Sequence, residues 1–384
     1  MTFTLPDVDE ISTLASIRSR GQKNIIGQKL PTLRHGISLR TSLQSLAPDQ
    51  YDFSKQPAVN VEHTGNVQLY QYDNAPEELK AFVCTQIDET HYFDALNMAT
   101  CSQIIIIDAP VLSEDGVVHI KIKNTTVSYR VFIRAQKESQ VQVHIDHSSK
   151  DDDIDSLVSC VIEVIAQDDA NVHVSHRCLS GKGVVLLTRS AQVERDAQVN
   201  WFDASIGSRL SLSATYNRLN GPQANVCTRA LSYTDRQHQC DHYHVTHHLA
   251  EFTSSDLKVK GIAADESVLL ERGLVKIHKT APNSDGFQHA DLLILDEHAQ
   301  ANALPQLEIN NNDVRCSHGA TIGKLAEDQI FYLQSRGLST ESARNLVIAG
   351  FIDPVISACA FEPWREEIAE AMHAKINGGK DAQR

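Results

Sequence analysis

Along residues 102 to about 320, apolar bursts rich in Val, Ile and Thr alternate with turn-forming residues. They are Val117–Ile122, Val127–Ile133, Val141–Ile145, Val158–Ile165, Val172–Ser175, Val184–Thr188 and Ser211–Tyr216. Runs of this length and composition predict strands. Almost nothing between them has the period of a crossover helix, so a doubly wound α/β fold is disfavoured and an all-β middle favoured. The bursts also recur. Ala170-Asn171-Val172, Ala197-Gln198-Val199 and Ala224-Asn225-Val226 are spaced 27 residues apart. Ser139-Gln140-Val141 lies 31 residues before the first, and Ala299-Gln300-Ala301 lies 75 after the last, the space of three shorter turns. A small residue, an amide and then Val read as a corner followed by a strand. Repetition at this period is the mark of a solenoid. With two or three short strands per repeat, the predicted fold class is mainly β, a right-handed parallel β-helix flanked by N-terminal and C-terminal helical segments.

The flanks have a different pattern. Val8, Ile11, Leu14 and Ile17 have helical spacing, and Asp7, Asp9 and Glu10 suit a helix N-terminus. Gly21, Gly27, Pro31 and Gly36 then break the chain, and Pro76-Glu77-Glu78-Leu79 opens a short helix. After residue 325 a helix over Glu327–Arg336 is stopped by Gly337, and Ser339 or Thr340 caps the next. Ala343, Leu346, Val347, Gly350 and Phe351 fall on one face of that helix, and Asp353-Pro354 ends it. A last helix from about Phe361 carries Phe361, Trp364, Ile368, Met372 and Lys375 on one stripe. The expected division is a mixed, helical N-terminal module (1–101), a β-helix core (102–324) and a C-terminal helical domain (325–384). The helical tail is expected to cap the open coil and to offer an apolar surface to a partner.

Composition narrows the function more than the fold. The 384 residues include 49 acidic and 35 basic side chains, a net charge of −14, which disfavours a general binder of nucleic acid or anionic membrane. No apolar run approaches the roughly 18 residues of a membrane span. The segment Met1–Asp7 lacks the basic and apolar regions of an export signal. Eight cysteines, never as C-x-x-C, read as cytosolic thiols, so a cytoplasmic location is expected. P-loop, dinucleotide-binding, nucleophile-elbow and zincin motifs are all missing. No enzyme class announces itself and no catalytic residue is assigned.

Two segments carry metal-binding chemistry. In Cys240–His248, read as a strand, Cys240, His242, His244, Thr246 and His248 share one face. Imidazoles beside a thiol can bind a transition metal. The plainer reading puts Tyr243, Val245 and Leu249 toward the core and leaves the histidines on a solvated face. In the second segment, Asn312–Thr321, Cys316 and His318 stand two apart, so an extended strand points them the same way. Thiolate and imidazole suit iron or an Fe–S cluster, but two donors are not a full site. A buried Cys beside a hydrogen-bonded His is the plainer alternative.

Pro305-Gln306-Leu307-Glu308-Ile309, then Asp313-Val314-Arg315-Cys316-Ser317-His318-Gly319-Ala320-Thr321-Ile322-Gly323, resembles the signature of the SufB/SufD family of Fe–S cluster assembly proteins, on its SufD side. Residues Glu327–Gly337, Gly273–His278, Asn283–Gln288 and Phe93–Asn97 continue the likeness. Leu30–His35 begins like the family's pre-core motif, but Gly36–Thr41 departs from it. The resemblance implies a non-catalytic scaffold subunit, an ABC-type ATPase partner (SufC) on the C-terminal helices, and pairing of β-helix ends with SufB. It implies that His318, with Cys316 nearby, helps hold iron or a transient iron–sulfur cluster shared with SufB, and that no cofactor is tightly bound in the isolated chain. Phe331, Tyr332, Arg336 and Gly337 match the part of the signature that leads into those helices and are the expected partner-binding residues. Other readings kept open are a β-helix carbohydrate-active enzyme, a His-rich metal-binding protein centred on Cys240–His248, and a homodimer of this chain alone.

Overall fold

The computed structural model describes residues 14–26, 28–31, 33–35, 39–41, 43, 46, 51–53, 59–122, 126–148 and 155–378. The helical positions Val8 and Ile11, the acidic residues expected before them, Gly27, Gly36 and the tail from Gly379 lie outside the described residues.

Two nine-stranded sheets face each other, and the chain alternates between them. One sheet comprises Asn60–Thr64, Gly116–Lys121, Gln140–Asp146, Asn171–Leu179, Gln198–Ile206, Asn225–Thr234, Ser254–Ala263, Ser284–Ile294 and Val314–Lys324. The other comprises Gln68–Gln71, Gln103–Ala109, Val127–Ala135, Leu157–Ala166, Val184–Val193, Leu210–Leu219, Gln239–His248, Val268–Ile277 and Gln300–Ile309. Each strand pairs in parallel with the strand one coil away, except that Asn60–Thr64 and Gln68–Gln71 join antiparallel. This is a parallel β-solenoid, with the first two strands forming an antiparallel edge at one end of the sheets.

The repeated triplet is a corner, and the reason for its composition is visible. Glu138, Asp169, Asp196 and Gln223 have φ between 57° and 62°, the left-handed bend that turns one strand into the next. The residue that follows each, Ser139, Ala170, Ala197 and Ala224, is buried under the bend, where a larger side chain has no room. Asn171, Gln198 and Asn225 are then direct register partners. The same bend recurs at Phe252 and Asn283, followed by buried Thr253 and Ser284. Ala299-Gln300 does not belong to this series: Gln300 pairs with Val268 in the opposite sheet. The expected spacing of 75 residues therefore joined two different corners.

Among the described residues, six α-helices flank the solenoid: α1 (Ala15–Ile25), α2 (Glu77–Lys80), α3 (Tyr92–Thr100), α4 (Glu327–Ser335), α5 (Thr340–Ile356) and α6 (Glu362–Gly378). Gly21 was expected to break the chain but lies within α1. A Cβ there would stand 2.3 Å from the Ala99 nitrogen, so the glycine lets α1 and α3 approach closely. Helix α3 is buried throughout, and Asn97 donates to the Ser159 carbonyl at 3.0 Å. The fully buried Glu163 of the solenoid accepts from the backbone of Cys84 and Gln86, at 2.9 and 3.0 Å, tying down the N-terminal segment.

The C-terminal helices do not cap the open coil. Helices α5 and α6 lie along the outer face of one sheet, where Ile348, Ile352, Val355, Ile356, Trp364, Ile368 and Met372 form one core with Phe202, Ile206, Leu231, Tyr233 and Ile262. The expected stripe on α5 is divided. Ala343 is buried, whereas Leu346, Val347 and Gly350 face a groove shared with α4. Pro354 does not end α5, which continues to Ile356. The stripe Trp364, Ile368 and Met372 on α6 is buried as expected.

Candidate functional site

The last coil of the solenoid has no cover among the described residues. Among the described residues, Val314–Lys324 pairs only with Ser284–Ile294, and Gln300–Ile309 only with Val268–Ile277, so each leaves one edge unpaired. Cys316 and His318 sit on that last strand, beside Gly286 and Gln288 of the previous coil. Cys316 packs against Val275, Ile277 and Ala281 at the mouth of the interior. It is half-buried, and burial raises its thiol pKa. His318, two residues on and on the same face, is exposed because no further coil covers it. A soft donor pair thus stands at an open end whose last strands expose Ile309 and Ile322, with Phe287 exposed on the other face of the previous strand.

Downstream, Phe331 and Tyr332 project from α4 with 72% and 55% of their surface exposed. The Arg336 guanidinium lies 5.2 Å from the Tyr332 ring, and Gly337 takes a φ of +95° to end the helix. Tyr332, Leu333, Leu346, Val347 and Gly350 line a groove of about 490 Å³ between α4 and α5.

The histidine strand has its faces as expected but the opposite orientation. Cys240, His242, His244 and His248 point into the solenoid and are buried, while Tyr243 and His247 are only partly covered. Tyr243 is packed from outside by the Arg272 guanidinium, 4.5 Å from its ring. Elsewhere in the interior, two other histidines form a polar chain across coils. Tyr129 Oη lies 2.6 Å from His147 Nε2, His147 Nδ1 2.9 Å from His176 Nε2, and His176 Nδ1 2.6 Å from Asp203 Oδ1. Arg189 closes on Asp203 at 3.2 Å. Burial alone would raise the Asp203 pKa, but Arg189 and His176 hold it well below the usual carboxylate range.

One member of this interior was missed in the sequence. Glu271 pairs in register with His242 and lies beside it, with Oε1 3.3 Å from His242 Nδ1. The signal was available: one coil period separates the two residues, so chemistry-bearing residues compared at that period would have fallen together. Burial lowers and Cys240 and Glu271 raise the His242 pKa, the latter prevailing, so His242 is held well above its ordinary value. No helix among the described residues is long and apolar enough to cross a membrane.

The model of the SUF system FeS cluster assembly SufBD core domain matches residues 118–351. An iron–sulfur cluster assembly SufBD family protein of Mycobacterium leprae is 32% identical over 210 residues, 54% of this chain and 24% of that protein. Another of that name, from Staphylococcus saprophyticus, is 30% identical over 200 residues, 52% of this chain and 43% of that protein. The chain therefore spans less than half the length of these curated relatives.

Proposed function

This chain belongs to the SufBD family of iron–sulfur cluster assembly proteins, and from that premise we propose that it is the SufD-type scaffold subunit of a SufB–SufC–SufD complex. The reading rests on Cys316 and His318 standing together on the last strand of an open solenoid. Two such ends joined edge to edge would satisfy their unpaired backbone groups and cover Ile309 and Ile322. The seam would bring donors from SufB against His318 and Cys316, completing a set that neither chain holds alone. Iron or a nascent cluster is the cargo of that seam. Thiolate from Cys316 and neutral imidazole from His318 are the donors this chain offers, and the thiol must shed its proton before binding.

The groove between α4 and α5, lined by Tyr332 and with the exposed Phe331 on the same helix, is the proposed docking surface for the SufC ATPase. Because α4 follows the last strand directly, movement of a partner on α4 acts on the strand that carries His318. Shearing there would open the seam and expose the cargo. Anaerobic co-expression with SufB and SufC tests the assembly. A stable three-component complex that accumulates iron and sulfide is expected. Recovery of this chain only as a homodimer, with SufB and SufC excluded, would contradict the reading.

A further inference from the structure

The open end leaves unexplained a second donor cluster inside the solenoid. Cys240 and His242 come from one strand and Glu271 from the next coil of the same sheet, and all three are buried. One ligand atom from each lies within 4.8 Å of the others. We propose that this cluster binds one divalent transition ion of the zinc class, with His244, which lies against Glu271 but outside the cluster, drawn in as a fourth donor. It is separate from the mouth carrying Cys316 and His318.

The donors, within 4.8 Å of one another, stand slightly wider than such an ion requires and would close on it. Bond lengths of about 2.0–2.3 Å to N, O and S place tetrahedral ligand atoms roughly 3.3–3.7 Å apart. Cys240 Sγ lies 3.2 Å from His242 Nε2, His242 Nδ1 lies 3.3 Å from Glu271 Oε1, and His244 Nε2 lies 3.8 Å from Glu271 Oε2. His242 gives the ion one nitrogen only, so either Cys240 or Glu271 must move around the ring on loading, and the nitrogen left free keeps a hydroxyl partner. Ser211 Oγ is 3.0 Å from Nε2 and Ser232 Oγ is 3.2 Å from Nδ1. A hydroxyl on the far side of a ligating imidazole fixes its tautomer, as metal sites require.

Unpartnered atoms point to the same ligand. Glu271 Oε2 and both ring nitrogens of His244 are buried without a hydrogen-bond partner. A buried carboxylate oxygen facing an unpaired imidazole is costly in an apo protein, and a divalent ion satisfies both. Thiolate and carboxylate together also neutralise the two positive charges. On loading, Cys240 gives up its thiol proton and His242 binds as neutral imidazole. The mixed sulfur, nitrogen and oxygen set excludes Mg²⁺ and Ca²⁺, which take oxygen ligands. Since the donors are sealed inside a coil, the ion enters as the coils close during folding.

The full chain is expressed in medium supplemented with Zn²⁺ or with Co²⁺, then purified, and its metal content and absorption are measured. About one ion per chain is expected, with a thiolate-to-cobalt charge-transfer band and the strong d–d absorption of tetrahedral Co²⁺. The double variant Cys316→Ser, His318→Ala should keep both the ion and the band. Cys240→Ser should lose the charge-transfer band and lower occupancy about tenfold or more. Glu271→Gln, which preserves volume, provides the same occupancy test if Cys240→Ser fails to fold. A wild-type chain without stoichiometric metal, an unchanged band in Cys240→Ser, or loss of the ion in the double variant would overturn the proposal.

Discussion

His144 shows how a single side chain in this solenoid couples stability to pH. Its ring lies 4.9 Å from Phe361 and 5.8 Å from Trp364, in the seam where α6 meets the sheet. Neither ring nitrogen has a hydrogen-bond partner. Burial, with help from His119 and His173, pushes its pKa down to about 3. The unfolded chain takes up a proton at this residue below about pH 6.5 whereas the folded chain does not, so stability falls as pH falls through this range. The loss is up to ~1.4 kcal/mol per pH unit from this residue alone. Melting temperatures of wild type and His144→Phe, compared between pH 7 and pH 5, should diverge, the variant losing less. Parallel curves would show that the imidazole is not buried neutral. The same residue type marks the limit of sequence reading. Period-two alternation correctly sorted Cys240, His242, His244 and His248 onto one face, but both faces of that strand carry polar and apolar residues. Orientation was decided by coils distant in sequence: Glu271 on the inside and Arg272 stacked on Tyr243 outside.

At the scale of elements, local signals were legible and docking was not. Gly337 ends α4 with positive φ, and Ser339 Oγ accepts from Ser342 N at 3.1 Å, as their residue types indicate. Such caps depend on one or two neighbours in the chain. Where α5 and α6 come to rest depends on the apolar outer face of Phe202, Leu231 and Ile262, which alternation alone does not distinguish from the inner face. The result leaves α4 with no buried residue and Phe331 unpartnered. Because Phe331 contributes little to the fold, Phe331→Asp should shift the melting temperature by only a degree or two, consistent with surface substitutions within about ±0.5 kcal/mol. The same change should weaken SufC binding by tenfold or more, the effect of about 1.4 kcal/mol at an interface anchor. Scanning calorimetry checks the first half and calorimetric titration with SufC the second, and unaltered affinity would move the docking site elsewhere.

For the whole molecule, the repeat was legible because a stacked coil imposes the same demand at each corner. The regular Ala-amide-Val corners met it in the same way three times, and the later corners at Thr253 and Ser284 met it with other small residues. Both sheets begin with an antiparallel strand, Asn60–Thr64 or Gln68–Gln71, and end on a parallel strand whose outer edge is unpaired among the described residues. Ile309 and Ile322 at the open end are exposed, so Ile309→Lys with Ile322→Lys should leave the monomer folded and abolish pairing with SufB on size-exclusion chromatography. Intact pairing would place the interface on another surface. The most direct measurement of the central claim uses the co-purified complex under anaerobic conditions, carrying either His318 or His318→Ala, with iron and sulfide counted per complex. The expected result is an intact complex, with SufC bound, that has lost its cluster. Equal iron and sulfide in both complexes would contradict the assignment of the open solenoid end as the cargo site.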